Sequence, residues 1–331
     1  MDRLQSFLLI TLVFLGLLLW QAWENDYSKE IVDEGKLKTQ PQSITSSTEN
    51  SVPDVPRIEP PVIRDSIDPT NTLISNENVQ IDKQINVQSD VLELSFSEKG
   101  ASLRDLSLIK YPVNLNKPKA FMFLGQKRNK EFLYQGGLFG EPGMPTHHTD
   151  FKAIAGSYRL RDGENELVVP FVWENENGIR ITKSYRLARD SYQIEIEYFI
   201  ENRGEEGIRV HHYEQLKRTN ESSYNGLVYT FTGAIFSTPE SRFKKFDFDD
   251  LDEKPIDQTV MNSWIGNMQH YFVAALIPPE SRPYRYYSKI LDPVTYSVGY
   301  VSPENLVEPG GSLILKSQLY AGPKKQDILK E

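Results

Sequence analysis

Two adjacent histidines followed by a carboxylate carry the most chemical potential in this chain. They are His211, His212 and Glu214, in the stretch GIRVHHYEQL. A histidine facing a carboxylate can act as a general acid or base. The stretch reads as a β-strand, on which neighbouring side chains point to opposite faces. The two histidines therefore cannot hold one metal ion together, although either could work alone opposite Glu214 or Glu195. The plainer reading is a strand histidine at a sheet edge or in a satisfied polar pocket. A second pair, His147 and His148, lies in EPGMPTHHTD, where Asp150 could complete a weak metal site. A solvated loop is the simpler expectation there.

Two further stretches invite a ligand and then fail to support one. DFDDLDE, residues 247–253, has the acidity of a calcium loop, but the required glycine and closing acid are missing. Counting from Asp247, the sixth position is Asp252 and the twelfth is Gln258. An exposed acidic loop is expected. RPYRYYSK, residues 282–289, could stack a sugar or a base, yet a net charge of −9 argues against nucleic acid as a partner. Tyr284 and Tyr286 alternate with Arg285 and Tyr287, the pattern of a strand with one buried face. There is no phosphate-binding glycine loop, no G-x-S-x-G and no cysteine, so thiol chemistry and disulfides are excluded. The residues thus name no catalytic group, no cofactor and no metal ligand.

The elements that would position these residues are strands. In YQIEIEYFIE, Tyr192, Ile194, Ile196, Tyr198 and Ile200 share one face. In GIRITKSYRL, Ile179, Ile181, Tyr185 and Leu187 stand opposite Arg180, Thr182, Ser184 and Arg186. DVLELSFSEKGASLRDLSL reads as two strands joined at Lys99-Gly100. ELVVPFVWE, QHYFVAALIP, TYSVGYV and SLILKSQLYAG are further strand candidates. Short strands broken by Gly, Pro, Asn and Asp define an all-β sandwich. One helix start interrupts the pattern in STPESRFKKF, with Thr238 as N-cap, Pro239 at the first helical position and Glu240 in the first turn.

Ahead of the strands the composition changes twice. Residues 28–89 hold no aromatic side chain and six prolines, and they read as a flexible tether. Residues 4–23 carry no charge, and twelve of those twenty are Leu, Ile, Val or Phe. As a helix they span about 30 Å, the thickness of a bilayer's hydrocarbon core. Trp20 and Trp23 stand where a signal peptidase would require small residues, and they suit an interfacial aromatic belt instead. A retained signal anchor is expected, its N-terminus cytoplasmic and the bulk of the chain outside.

Four stretches together resemble the bacterial YidC membrane protein insertases of the YidC/Oxa family. They are FLLITLVFLGLLLWQAWE, YTFTGAIFSTPESRFKKFDF, WIGNMQHYFVAALIP and LYAGPKKQD. The resemblance implies a periplasmic β-supersandwich, galactose-mutarotase-like in fold, hung from one transmembrane helix. Its expected organisation is a cytoplasmic N-terminus (1–3), an anchor (4–23), a periplasmic tether (24–85), the sandwich (86–322) and the start of a linker (323–331). The implied role is insertion and folding of inner-membrane proteins, alone or with the Sec translocon. The implied partners are the lipid bilayer, translocon accessory proteins and nascent membrane proteins. In the family a five-helix membrane core with a hydrophilic groove follows. No second apolar stretch of that length occurs here, so a fragment, a truncated product or half of a split protein is expected, without the groove. The alternative is a carbohydrate-binding or epimerase-like domain.

Overall fold

In the computed structural model, residues 83–114, 117–127, 130–220, 231–279 and 282–324 are described. The chain divides at Ser47/Thr48, and all described residues belong to the second unit. Among them no helix is long and apolar enough to cross a membrane. The expected anchor with Trp20 and Trp23, and the tether up to residue 82, lie outside the described residues.

Among the described residues, alternating apolar residues and frequent turn residues produce twenty strands. In chain order they begin β1 (Gln84–Gln88), β2 (Leu92–Ser97), β3 (Ser102–Asn114), β4 (Lys117–Lys127), β5 (Lys130–Gly140), β6 (Lys152–Ala153) and β7 (Ser157–Arg159). Next come β8 (Glu166–Glu174), β9 (Ile179–Ala188), β10 (Gln193–Asn202), β11 (Ile208–Thr219), β12 (Thr232–Ser237) and β13 (Lys244–Phe246). A short helix α1 (Phe248–Glu253) precedes β14 (Asp257–Val260), β15 (Trp264–Gln269) and β16 (Phe272–Ile277). The chain closes with β17 (Tyr284–Asp292), β18 (Thr295–Val301), β19 (Asn305–Val307) and β20 (Ser312–Pro323).

These strands form two facing sheets. One runs β14-β17-β18-β11-β5-β4-β3-β2-β1-β7, with β19 also on β11, and the other runs β13-β12-β15-β16-β20-β10-β9-β8-β6. The β1–β7 pairing is parallel; β9, β10 and β20 pair antiparallel at the centre of the second sheet. The period-two reading holds there, with Ile194, Ile196, Tyr198 and Ile200 of β10 fully buried. Each such side chain adds about 1.5–3 kcal/mol by leaving water. Phe96 of β2 reaches across to Tyr185 of β9 and Phe171 of β8, at ring separations of 4.6 and 5.7 Å.

Three expectations are corrected. The helix does not start at Thr238. Thr238 Oγ1 instead accepts the Ser241 amide at 3.0 Å and closes a turn, after which the chain enters β13. The helix forms in the acidic stretch read as an exposed loop. Asp247 and Asp250 make a reciprocal capping box, and Phe248 and Leu251, three residues apart, bury one face. QHYFVAALIP is not one strand, because His270 and Tyr271 turn the chain between β15 and β16. β17 departs from its reading in a smaller way. Tyr284 and Tyr286 are buried as expected, but Tyr287 is buried on the other face too.

The β2–β3 turn at Lys99-Gly100 tests how tightly the sheets close. Gly100 has φ +68°, and a Cβ there would lie 2.4 Å from the His147 carbonyl oxygen. Gly143 has φ +81° with open space around it. Gly100→Ala should therefore lose about 2–4 kcal/mol in urea unfolding, through left-handed strain and overpacking together. Gly143→Ala should lose only about 1 kcal/mol, from strain alone. Equal losses would contradict the packing described.

Candidate functional site

Strand parity decides where the reactive side chains go. On β11 the inward face carries Ile208, Val210, His212, Glu214 and Leu216, so two polar groups enter the core in an otherwise apolar series. On β9 the inward face carries Ile179, Ile181, Lys183, Tyr185 and Leu187, which places a lysine opposite them. Glu214 and Lys183 are both 0% exposed. A charge in such a place survives only if surrounding groups replace the water it has lost.

Glu214 is surrounded by donors from three other strands. Tyr134 Oη of β5 donates to Oε1 at 2.9 Å, and Tyr300 Oη of β18 donates to Oε2 at 2.9 Å. Ser317 Oγ donates to Oε1 at 2.5 Å from β20, in the opposite sheet. His212 Nε2 lies 3.3 Å from the same oxygen. Burial pushes the Glu214 carboxyl up, but His212, Ser317 and Tyr300 outweigh it and hold the group below its usual range. Burial, assisted by the Glu214 charge, pushes the Tyr134 and Tyr300 hydroxyls well above the usual tyrosine value. They therefore stay protonated and keep donating.

Lys183 spans the sandwich in the other direction. Its Nζ donates to the carbonyls of Gly100 at 2.9 Å and Gly136 at 3.1 Å, both contributed by the facing sheet's side. Three tyrosine rings surround it, those of Tyr198, Tyr185 and Tyr134, with centroids 5.3, 5.4 and 5.9 Å from Nζ. Burial lowers its pKa to about 7, against the opposing pull of Glu214. Tyr185 Oη ties the same pair of layers by donating to Ala101 O at 2.6 Å.

A histidine and a carboxylate thus converge, as the sequence suggested they could, but in the core. His211 points the other way, with Nδ1 3.0 Å from Ser302 O and its ring stacked on Phe139. Glu195 is on the outer face, paired with Lys316 at 3.1 Å. His147 does not lie in a solvated loop. It is 3% exposed, with Nδ1 2.6 Å from the Tyr213 hydroxyl, whereas His148 is exposed. Among the described residues no group of His, Asp and Glu is placed to hold a metal ion. Sequence reasoning passed over Lys183 although its parity with Ile181 and Tyr185 was the signal that placed it inside.

Open grooves occur elsewhere on the surface. One of about 460 Å³ crosses β1, β2, β3 and β7, lined by Gln88, Glu93, Ser95, Asp105, Tyr158 and Arg159 among others. One of about 520 Å³ lies beside the β10–β11 turn, with Glu141, Asn175, Asn202 and Glu206 in its walls. Neither is lined by Lys183, His212 or Glu214. A third groove of about 410 Å³ is lined by Glu195, Lys316 and Ser317, and Ser317 separates it from the fully buried Glu214.

Fold and core together define an all-β supersandwich closed around a buried polar cluster. Residues 84–331 match the family model for the YidC periplasmic domain, and the chain belongs to that family. The membrane protein insertase YidC of Nitrosococcus oceani is 35% identical over 338 residues, covering 99% of this chain and 59% of that protein. Its counterpart from Alkalilimnicola ehrlichii is 32% identical over 335 residues, covering 100% and 58%. The chain spans less than two thirds of the length of these relatives. Among solved structures, a galactose mutarotase-like protein from Lactobacillus casei is similar at a TM-score of 0.49. Its identity is 9%, over 72% of this chain and 99% of that one. A galactose mutarotase related enzyme from Lactobacillus acidophilus gives 0.48 at 7% identity, over 72% and 97%.

Two pH dependences follow from the buried pair. The folded Lys183 value, about 7, lies below the ordinary 10.5, so the unfolded chain binds the extra proton between them. Unfolding free energy should rise with pH across that window, and Lys183→Met should remove the rise. The folded Glu214 value is depressed, so its contribution is present above the usual carboxylate value and is lost as pH falls through the folded value. Glu214→Gln should cost about 2–4 kcal/mol at neutral pH, because three hydroxyl donors lose an ionised acceptor. Urea unfolding at several pH values checks both.

Proposed function

We propose that this chain supplies the membrane anchor and periplasmic sandwich of a YidC-type insertase. In this reading residues 4–23 hold it in the bacterial inner membrane, with Trp20 and Trp23 at the interface, the N-terminus cytoplasmic and the sandwich in the periplasm. The observation that carries the proposal is the match of residues 84–331 to the YidC periplasmic domain model. The whole-chain similarity to proteins named membrane protein insertase supports it.

The sandwich acts here as a docking and chaperone-like surface. It meets accessory proteins of the Sec translocon and emerging segments of nascent membrane proteins, and it contributes no bond-making step. The closure of the Glu214 cluster supports this reading, since a rigid, dry interior holds outward-facing strands in fixed register. Insertion itself is assigned to the part of the relatives outside the match. A path for polar segments needs a water-lined groove within the bilayer.

After fractionation the chain should remain with inner membranes through an alkaline wash and need detergent for release. Protease added to spheroplasts should degrade the sandwich from outside. Residues 1–331 expressed alone should not restore growth to insertase-depleted cells. Release by the alkaline wash would refute the anchor, and full rescue would refute the assignment of insertion to the remainder.

A further inference from the structure

We propose that the end of the sandwich where Lys324 leaves β20 rests on an anionic phospholipid surface. A headgroup phosphate would sit between Lys127, Lys130 and Arg218. The inference rests on the membrane-anchored reading above and deepens it by naming the face that meets the bilayer and the lipid class it selects.

A pocket of about 230 Å³ opens between β4, β5 and β11, lined by Lys127, Lys130 and Arg218 together with Phe121, Phe123 and Phe132. Arg218 is 3% exposed. Its Nη2 donates to Gln269 Oε1, and its guanidinium carbon lies 4.6 Å from the Phe132 ring centroid. An arginine held in this way presents a pre-oriented fork of donors, the geometry that suits a phosphate. Lys127 at the end of β4 and Lys130 at the start of β5 are exposed and add charge at the mouth. Glu131 is the acid in the lining, and it is paired with Lys217 at 2.8 Å.

Apolar side chains crown the same end. Tyr271 at the β15–β16 turn is 68% exposed, Val113 near the tip of β3 is 65% and Val294 between β17 and β18 is 53%. Contacts tie them to the pocket. Gln269, which holds Arg218, is two residues before Tyr271. Phe272 stacks on the pocket residue Phe121 at 4.8 Å and meets Tyr111 edge-on at 5.4 Å, two residues before Val113. Asn220 donates its amide to Val294 O at 2.6 Å, and Glu131 donates its amide to Thr219 Oγ1 at 3.2 Å.

β20 ends at this patch. The Lys324 amide donates to Tyr271 O at 2.7 Å, and Lys324 Nζ donates to His270 O at 3.3 Å. The far end of β10 has the opposite character, with Glu205 and Glu206 in the exposed turn and Glu141 in the adjoining groove. Acids also occur at the exit end, where Asp190 pairs with Lys110 at 2.8 Å, Asp90 accepts the Asp190 amide at 3.0 Å and Asp292 accepts the Val294 amide at 3.0 Å, so the basic character that suits an anionic headgroup is local to the pocket of Lys127, Lys130 and Arg218. Each basic residue near such a surface is worth about a fivefold gain in binding, and an interfacial tyrosine with two valines adds apolar contact.

The absence of cysteine makes the test clean. Tyr271→Cys and Glu205→Cys, at opposite ends, each take one environment-sensitive fluorophore. The full chain is reconstituted into nanodiscs of phosphatidylcholine, with or without about 30% phosphatidylglycerol, that carry a headgroup-depth quencher. In the anionic discs, quenching at position 271 should exceed that at 205 by about fivefold or more. Adding Lys127→Glu and Lys130→Glu to the 271 variant should return it to the level of neutral discs. Equal quenching at both positions would overturn the proposal. So would quenching at 271 that ignores both lipid charge and charge reversal. Failure of the chain to co-elute with discs would refute the anchored reading itself, and the proposal with it.

Discussion

The structure depends on burying a lysine and a carboxylate between two sheets without leaving either in need of water. Glu214 is met by Tyr134 and Tyr300 from its own sheet and by Ser317 from the other. Lys183 returns the tie by bonding two carbonyls across the gap. Each group loses its hydration on folding, a cost of several kcal/mol per ion that only well-placed partners offset. A register slip of one residue in β9 or β11 would turn Lys183 or Glu214 outward and leave a tyrosine hydroxyl or a carbonyl without its partner. The polar cluster therefore fixes register in a way that a uniformly apolar core cannot.

How much of this was legible in the sequence depends on the range of the interaction. Alternation within a strand is local, so β9, β10, β18 and the turn at Gly100 could be read directly. The inward parity of His212, Glu214 and Lys183 was equally present in the pattern. Their meeting was not, because it depends on which strands face each other, and β5, β9, β11, β18 and β20 are far apart in the chain. The helix shows the complementary failure. Thr238, Pro239 and Glu240 carry good capping chemistry and are followed by Phe243 and Phe246 three residues apart, but Phe243 stays 41% exposed and Phe246 is buried from β13 instead. Asp247 and Asp250 cap a segment whose Phe248 and Leu251 have a surface to pack on. Tertiary burial, not capping, chose between the two sites.

His147 was misread for a related reason. A loop rich in Pro, Gly and Thr implies solvent, but here the loop folds back under the Tyr213 hydroxyl and closes against Gly100. The same closure bears on function. The residues able to transfer protons, His212 and Glu214, lie in the contacts that hold the sheets together.

The central claim is that Lys183 lies in a water-free interior, held by carbonyls and by the field of Glu214. The most direct measurement is a carbon-13 NMR titration of the Lys183 side chain in folded protein, assigned by its loss in Lys183→Met. The account predicts a midpoint near the lowered value of about 7. A midpoint near the ordinary 10.5 would mean that water reaches the ammonium group, and the sealed core described here would be contradicted.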